Sequence, residues 1–170
     1  SNAWNIRVPA AHGVGVLDIT SAIREENIKA LYVIGGSPSL YDTKLEEFIE
    51  AASDLEFLVV HDTFPCELTE IADVVLPSQT FAARRGTYTN LERRVQLLRP
   101  ALGPTHEEDA DWRIMCQIAR RMGATGFDYP EEELIFDELT NIVPFYGGIS
   151  YNRLEDGGLQ WPCLVDNMSD

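Results

Sequence analysis

Three short apolar runs, each stopped by a polar or glycine–proline turn, constrain this chain more than any other feature. Ala30-Leu31-Tyr32-Val33-Ile34 closes at Gly35-Gly36-Ser37-Pro38, Phe57-Leu58-Val59-Val60 at His61-Asp62-Thr63, and Val74-Val75-Leu76 at Pro77. The runs do not alternate strictly between apolar and polar residues, which suits strands covered on both faces. Between the first two, Thr43 to Ala52 sets Leu45, Phe48 and Ile49 on one helical face. Strand, turn, helix and strand in succession predict a parallel sheet with crossover helices. The turns after Ile34, Val60 and Leu76 then share the carboxyl edge of the sheet, where open α/β folds take their ligands.

The fold class expected is α/β: a Rossmann-like, mostly parallel sheet flanked by helices, followed by a mainly helical segment. Residues 4–22 carry glycine and proline interruptions between Pro9 and Gly15 and read as a lead-in. Beyond Pro77, Asp109 to Arg121 spaces Trp112, Met115, Cys116 and Ala119 at helical intervals, with acidic residues early and Arg120-Arg121 late, as the helix dipole favours. Pro130 followed by three glutamates opens another helix through about Leu139. The tail around Trp161-Pro162-Cys163 has no evident partner.

Charge narrows function. Thirteen basic against 28 acidic residues leave a formal net charge of −15 across 170 residues, which disfavours nucleic acid as a partner. No uninterrupted apolar stretch reaches the roughly 18 residues of a membrane helix, so a soluble, cytoplasmic setting without direct membrane insertion is expected. Cys66, Cys116 and Cys163 are isolated, and His12, His61 and His106 form no HxH or HExxH pattern, so no metal site is expected. Ser1-Asn2-Ala3 reads as the remnant of a removed tag.

Each candidate site residue has a structural alternative. Gly35 and Gly36 let backbone amides approach a phosphate, or simply make a strand-to-helix turn. His61 and Asp62 suit a purine edge or ribose hydroxyls, or cap the next turn. Ser78 shares that ambiguity. Arg84, Arg85, Arg93 and Arg94 form a basic island around Gly86-Thr87. Gly86, Thr87 and the pair Arg93-Arg94 suit a pyrophosphate or an acidic surface, or are solvated hairpin residues. Asp111 either accepts from a ligand NH group or caps its helix. No catalytic residue is identified; Cys66 has no partner histidine at a diagnostic spacing.

Taken together, the segments from Ala30 to Pro38, Phe57 to Phe64 and Ile71 to Pro77 resemble the molybdopterin oxidoreductase family, closest to the formate dehydrogenase catalytic subunit. The resemblance continues through Gly86 to Gln96, Asp111-Trp112, Ala119 to Gly123, Ile135 to Leu139 and Gly148 to Cys163. It implies that residues 4–80 are part of a domain binding a molybdopterin guanine dinucleotide. Residues 81–170 are the segment that returns toward a cluster-bearing domain. It implies molybdenum or tungsten on the cofactor and an iron–sulfur cluster, both supplied by a longer parent outside this segment. The isolated segment is then inactive and retains no cofactor, and its partners are the remaining parent domains and electron-transfer subunits.

By the same resemblance, cofactor contacts fall on Gly35, Gly36, Ser37, Tyr41, His61, Ser78 and Asp111, and the local reading above adds Asp62, Gly86 and Thr87. The chain departs from the family pattern in several places. Gly36 stands for an acidic residue, His61 for a glutamine, Cys66 and Leu68 for threonines, and Ala83 and Arg85 for acidic residues before Gly86. Two other readings stay open: the related large subunit of an NADH-quinone oxidoreductase, and a non-enzymatic acidic interaction module.

Overall fold

The computed structural model describes residues 10–35, 45–103 and 109–165. The chain divides into two compact units, one ending at Ser78 and the other beginning at Gln79.

In the first unit a short 3-10 turn at Val16–Asp18 leads into α1, Ile19–Arg24, so part of the expected lead-in is helical. Ala22 and Ile23 are its buried residues. Three parallel strands follow, β1 at Ala30–Ile34, β2 at Phe57–Asp62 and β3 at Val74–Pro77, in the order β1-β2-β3. Between them lie α2, Leu45–Ala52, and α3, Glu67–Ile71. Glu46 and Glu47 sit in the first turn of α2, where the dipole favours negative charge. The hydroxyl of Thr69 donates to the carbonyl of Cys66 at 2.6 Å and accepts from its amide at 3.1 Å, which closes the start of α3.

One sheet face builds the core. Leu31 pairs with Leu58 and Val33 with Val60, so these side chains project to the same side. There Leu58 and Val60 pack with Ala52 and Leu68, and with Phe48, Ile49 and Ile71 of the helices. Burying a leucine or valine of this kind contributes about 1.5–3 kcal/mol.

The second unit carries the helices expected after the sheet and, in addition, an antiparallel sheet. A hairpin joins β4, Gly86–Thr89, to β5, Arg94–Leu98, and β6, Leu159–Gln160, pairs with Arg94 and Val95. Asn90 makes the hairpin turn: its Oδ1 accepts from the amides of Glu92 and Arg94 at 2.9 and 3.0 Å, and Arg93 takes φ +63°. Then come α4, Asp111–Arg121, α5, Glu132–Ile142, and α6, Tyr151–Leu154. Val95, Phe136, Ile149, Tyr151 and Leu154 form the core of this unit. The tail is therefore partnered: β6 pairs with β5, and Trp161 stacks on Tyr146 with ring centres 5.8 Å apart.

Candidate functional site

The carboxyl edge of the parallel sheet brings four of the ten expected contacts together. Ile34 is in register with His61, His61 with Leu76, and Asp62 with Pro77. Gly35, His61, Asp62 and Ser78 therefore sit side by side at the strand ends. The amide of Gly35 donates to the carbonyl of His61 at 2.8 Å, and that of Ser78 to the carbonyl of Asp62 at 3.0 Å. Gly35 turns the chain at φ +59°, and an added Cβ would meet nothing within 4 Å, so the backbone conformation and not crowding favours glycine.

His61 and Asp62 continue β2 instead of forming the turn expected from their polarity. His61 is fully buried, with its Nδ1 3.0 Å from the hydroxyl of Tyr32 and the two rings stacked at 6.1 Å. Its neighbour Asp62 caps the turn that follows, Oδ1 accepting from the amide of Thr63 at 2.6 Å. Ser78 is buried as well. Gly36, Ser37 and Tyr41 lie outside the described residues.

The remaining expected contacts belong to the second unit. Gly86 and Thr87 lie in β4 opposite Leu98 and Leu97, and an alanine methyl at Gly86 would enter open space. Asp111 is the first residue of α4, and its Oδ2 accepts from Nη1 of Arg84 at 2.6 Å. Sequence reasoning counted Arg84 within a basic island without separating it from its neighbours. The signal was the position, two residues before Gly86; its partner is 27 residues away.

The other arginines have structural employment. Arg94 donates through Nη1 to the carbonyl of Gly158 at 2.9 Å, and the guanidinium of Arg93 lies 5.6 Å from the centre of the Trp161 ring. Arg85 bridges Glu132 at 3.1 Å and Glu133 at 3.6 Å and covers the Tyr151 ring at 4.7 Å. Burial pushes the Tyr151 phenol up to about 12, and the charge of Glu132 adds to it. The pyrophosphate-embracing pair expected at Arg93-Arg94 is thus occupied by the hairpin and its partner strand.

A separate cavity of about 560 Å³ lies between α4 and the segment after it, lined among others by Trp112, Arg113, Cys116, Arg120 and Tyr129. Burial raises the Cys116 thiol pKa, which keeps it protonated. None of the expected contacts lines this cavity. Among the described residues no group of three or more His, Cys, Asp or Glu side chains is placed to hold a metal ion, and no helix is long and apolar enough to cross a membrane.

Comparison with known proteins places the chain in a family. The chain is 43% identical over 145 residues to formate dehydrogenase subunit alpha of Methanocaldococcus jannaschii, covering 85% of this chain and 22% of that protein. It is 35% identical over 164 residues to formate dehydrogenase 1 subunit alpha of Methanococcus maripaludis, covering 96% and 24%. A probable oxidoreductase of Bacillus subtilis matches at 35% over 164 residues, covering 96% of this chain and 16% of that one. This chain thus spans less than a quarter of the length of these relatives. Among solved structures, acetylene hydratase from Pelobacter acetylenicus shares the fold with a TM-score of 0.67 at 17% identity, over 86% of this chain and 20% of the hydratase. Residues 5–121 match the family described as molybdopterin oxidoreductase, and the chain belongs to that family.

Proposed function

We propose that this chain is part of a longer molybdopterin-dependent oxidoreductase of the formate dehydrogenase type, in which it helps to hold a molybdopterin guanine dinucleotide. The observation that carries the reading is the convergence of Gly35, His61, Asp62 and Ser78 on one carboxyl edge of a parallel sheet. Open α/β sheets take nucleotides at that edge, and the chain's family is one of molybdopterin enzymes.

The residues present suit such a group. A dinucleotide needs acceptors for its base and ribose hydrogens and donors for its phosphate oxygens. At the sheet edge of the first unit the carboxylate of Asp62 answers the first need; in the second unit Asp111, held by Arg84, is the proposed contact. Gly86 and Thr87 complete the proposed contacts, together with Gly36, Ser37 and Tyr41. When bound, the cofactor supplies a molybdenum or tungsten centre for two-electron chemistry, and the protein supplies position and burial.

In this reading residues 4–80 belong to the dinucleotide-binding domain and residues 81–170 to the segment returning toward a cluster-bearing domain. The metal's protein ligand, the iron–sulfur cluster and the second pterin-binding region come from the rest of the longer protein, whose proposed setting is cytoplasmic. Catalysis belongs to that whole, and the 170-residue chain alone turns over no formate.

The test is to purify the natural full-length protein from its source, measure its metal content and identify the released cofactor. A pterin guanine dinucleotide with molybdenum or tungsten is the expected result. Folded, full-length protein containing neither would overturn the reading.

A further inference from the structure

The cavity of about 560 Å³ in the second unit has a chemistry of its own. On the α4 side, Trp112, Arg113, Cys116, Gln117 and Arg120 follow one another at three- and four-residue spacing and so share one stripe of the helix. The segment after the helix contributes Phe127 and Tyr129, so three of the lining side chains are aromatic. Clefts of roughly 300–1,000 Å³ with aromatic walls and a few polar groups are the usual seats of small organic molecules. Aromatic walls favour a flat ring, which they meet by offset stacking or edge to face.

The polar groups of the lining are not equivalent. Asp109 accepts from the amide of Ala110 at 2.8 Å and from Nε2 of Gln117 at 3.2 Å. Arg120 pairs with Asp128 at 3.0 Å, and the hydroxyl of Tyr129 donates to Glu138. Arg113 is uncommitted: its guanidinium lies over the Trp112 ring, 5.1 Å from the ring centre, and makes no ion pair among the described residues. A guanidinium held by its face keeps its N–H groups free in its own plane, where a carboxylate can meet two of them at once. The Arg113 side chain is exposed, so those donors are open to a ligand. Burial keeps the Cys116 thiol protonated, so it does not repel an anion.

We infer that this cavity is a binding site for a planar aromatic carboxylate, its ring among Trp112, Phe127 and Tyr129 and its carboxylate on Arg113. The site is independent of the dinucleotide reading, because none of the residues expected to touch that cofactor lines the cavity.

The experiment titrates the 170-residue chain at neutral pH with naphthoate and, separately, with naphthamide, which has the same ring system and no charge. A chain of net charge −15 repels anions in general, so adsorption without a site favours the amide. Naphthoate should instead bind about tenfold tighter or more, the worth of a hydrogen-bonded charge contact. Arg113→Gln keeps a good helix former at an exposed position and should abolish that preference. Phe127→Ala should weaken both probes together. Circular dichroism of each variant separates lost binding from lost folding. Since Cys116 lines the cavity, bound naphthoate should also slow its reaction with methyl methanethiosulfonate, followed by peptide mass, while Cys66 in the first unit keeps its rate.

Equal binding of the two probes overturns the inference, as does a preference for naphthoate that survives Arg113→Gln. Saturable binding that leaves the Cys116 rate unchanged puts the ligand elsewhere and overturns it too. So does the absence of saturation with the folded chain. Naphthoate binding to the 170-residue chain that is absent from the natural full-length protein would assign the cavity to a neighbouring stretch of the longer protein, again overturning the inference.

Discussion

Leu58 and Asp73 exchange two hydrogen bonds: the amide of Leu58 donates to Oδ2 of Asp73 at 2.7 Å, and the amide of Asp73 donates to the carbonyl of Leu58 at 2.9 Å. The pair sits where β3 joins β2, just before Val74 comes into register with Val59. It therefore sets the register that carries Leu76 to His61 and Pro77 to Asp62 at the far end of the sheet.

Asp73→Ala leaves the Leu58 amide without its side-chain acceptor and should lower stability by about 1–2 kcal/mol. Asp73→Asn retains a carbonyl oxygen and should lose less. Urea denaturation of the two variants checks the order, and equal stability of Asp73→Ala and the parent would show that the side chain does not hold the junction.

Leu58 is 1% exposed and packs among Ala52, Val60 and Leu68. Leu58→Ala should cost about 2–5 kcal/mol, through lost burial and the cavity left behind. The same denaturation measurement reports it.

Two glycines should respond in opposite ways to alanine. At Gly148 a methyl would lie 2.6 Å from the carbonyl oxygen of Leu164 and 2.9 Å from the sulfur of Cys163, so Gly148→Ala should destabilise by about 1–3 kcal/mol. At Gly86 nothing lies within 4 Å, and Gly86→Ala should stay within about 1 kcal/mol of the parent. A thermal melt distinguishes them. The Gly86 variant then reports on ligand approach without a folding defect.

Alkaline pH should weaken the fold through Tyr151. Its phenol ionises at about 12 in the folded chain against an ordinary value of 10, because burial and then the charge of Glu132 oppose the phenolate. Between those values the folded state keeps a proton that the unfolded state releases, so stability is complete below pH 10 and falls as pH rises toward about 12. A shift of this size corresponds to about 2–3 kcal/mol. Tyr129, raised to about 12 by its hydrogen bond to Glu138, acts in the same direction. Tyr151→Phe should flatten the fall, read from urea midpoints at about pH 9 and about pH 12. An unchanged slope would remove Tyr151 as its source.

Much of the fold was written locally. Apolar runs and the turns that stop them located β1, β2 and β3 within a residue or two, amphipathic spacing located α2 and α4, and Pro130 with the glutamates after it located α5. These signals are legible because each depends on side chains a few positions apart meeting one face. The same logic placed Gly35, Asp62 and Ser78 at strand ends, and hence on one edge.

Tertiary structure decided what distant residues do to one another. His61 reads locally as part of a polar turn, yet it continues β2, in register with Ile34 on one side and Leu76 on the other, and its ring meets Tyr32, 29 positions earlier. Leu159 and Gln160 show no strand pattern worth the name and become β6 only against Arg94 and Val95. Four arginines look equivalent in sequence. Packing separates them, giving Arg85 to Glu132, Arg94 to Gly158 and Arg84 to Asp111. Hydrogen-bond partners of this kind lie tens of residues apart and depend on register and direction, which no local spacing encodes.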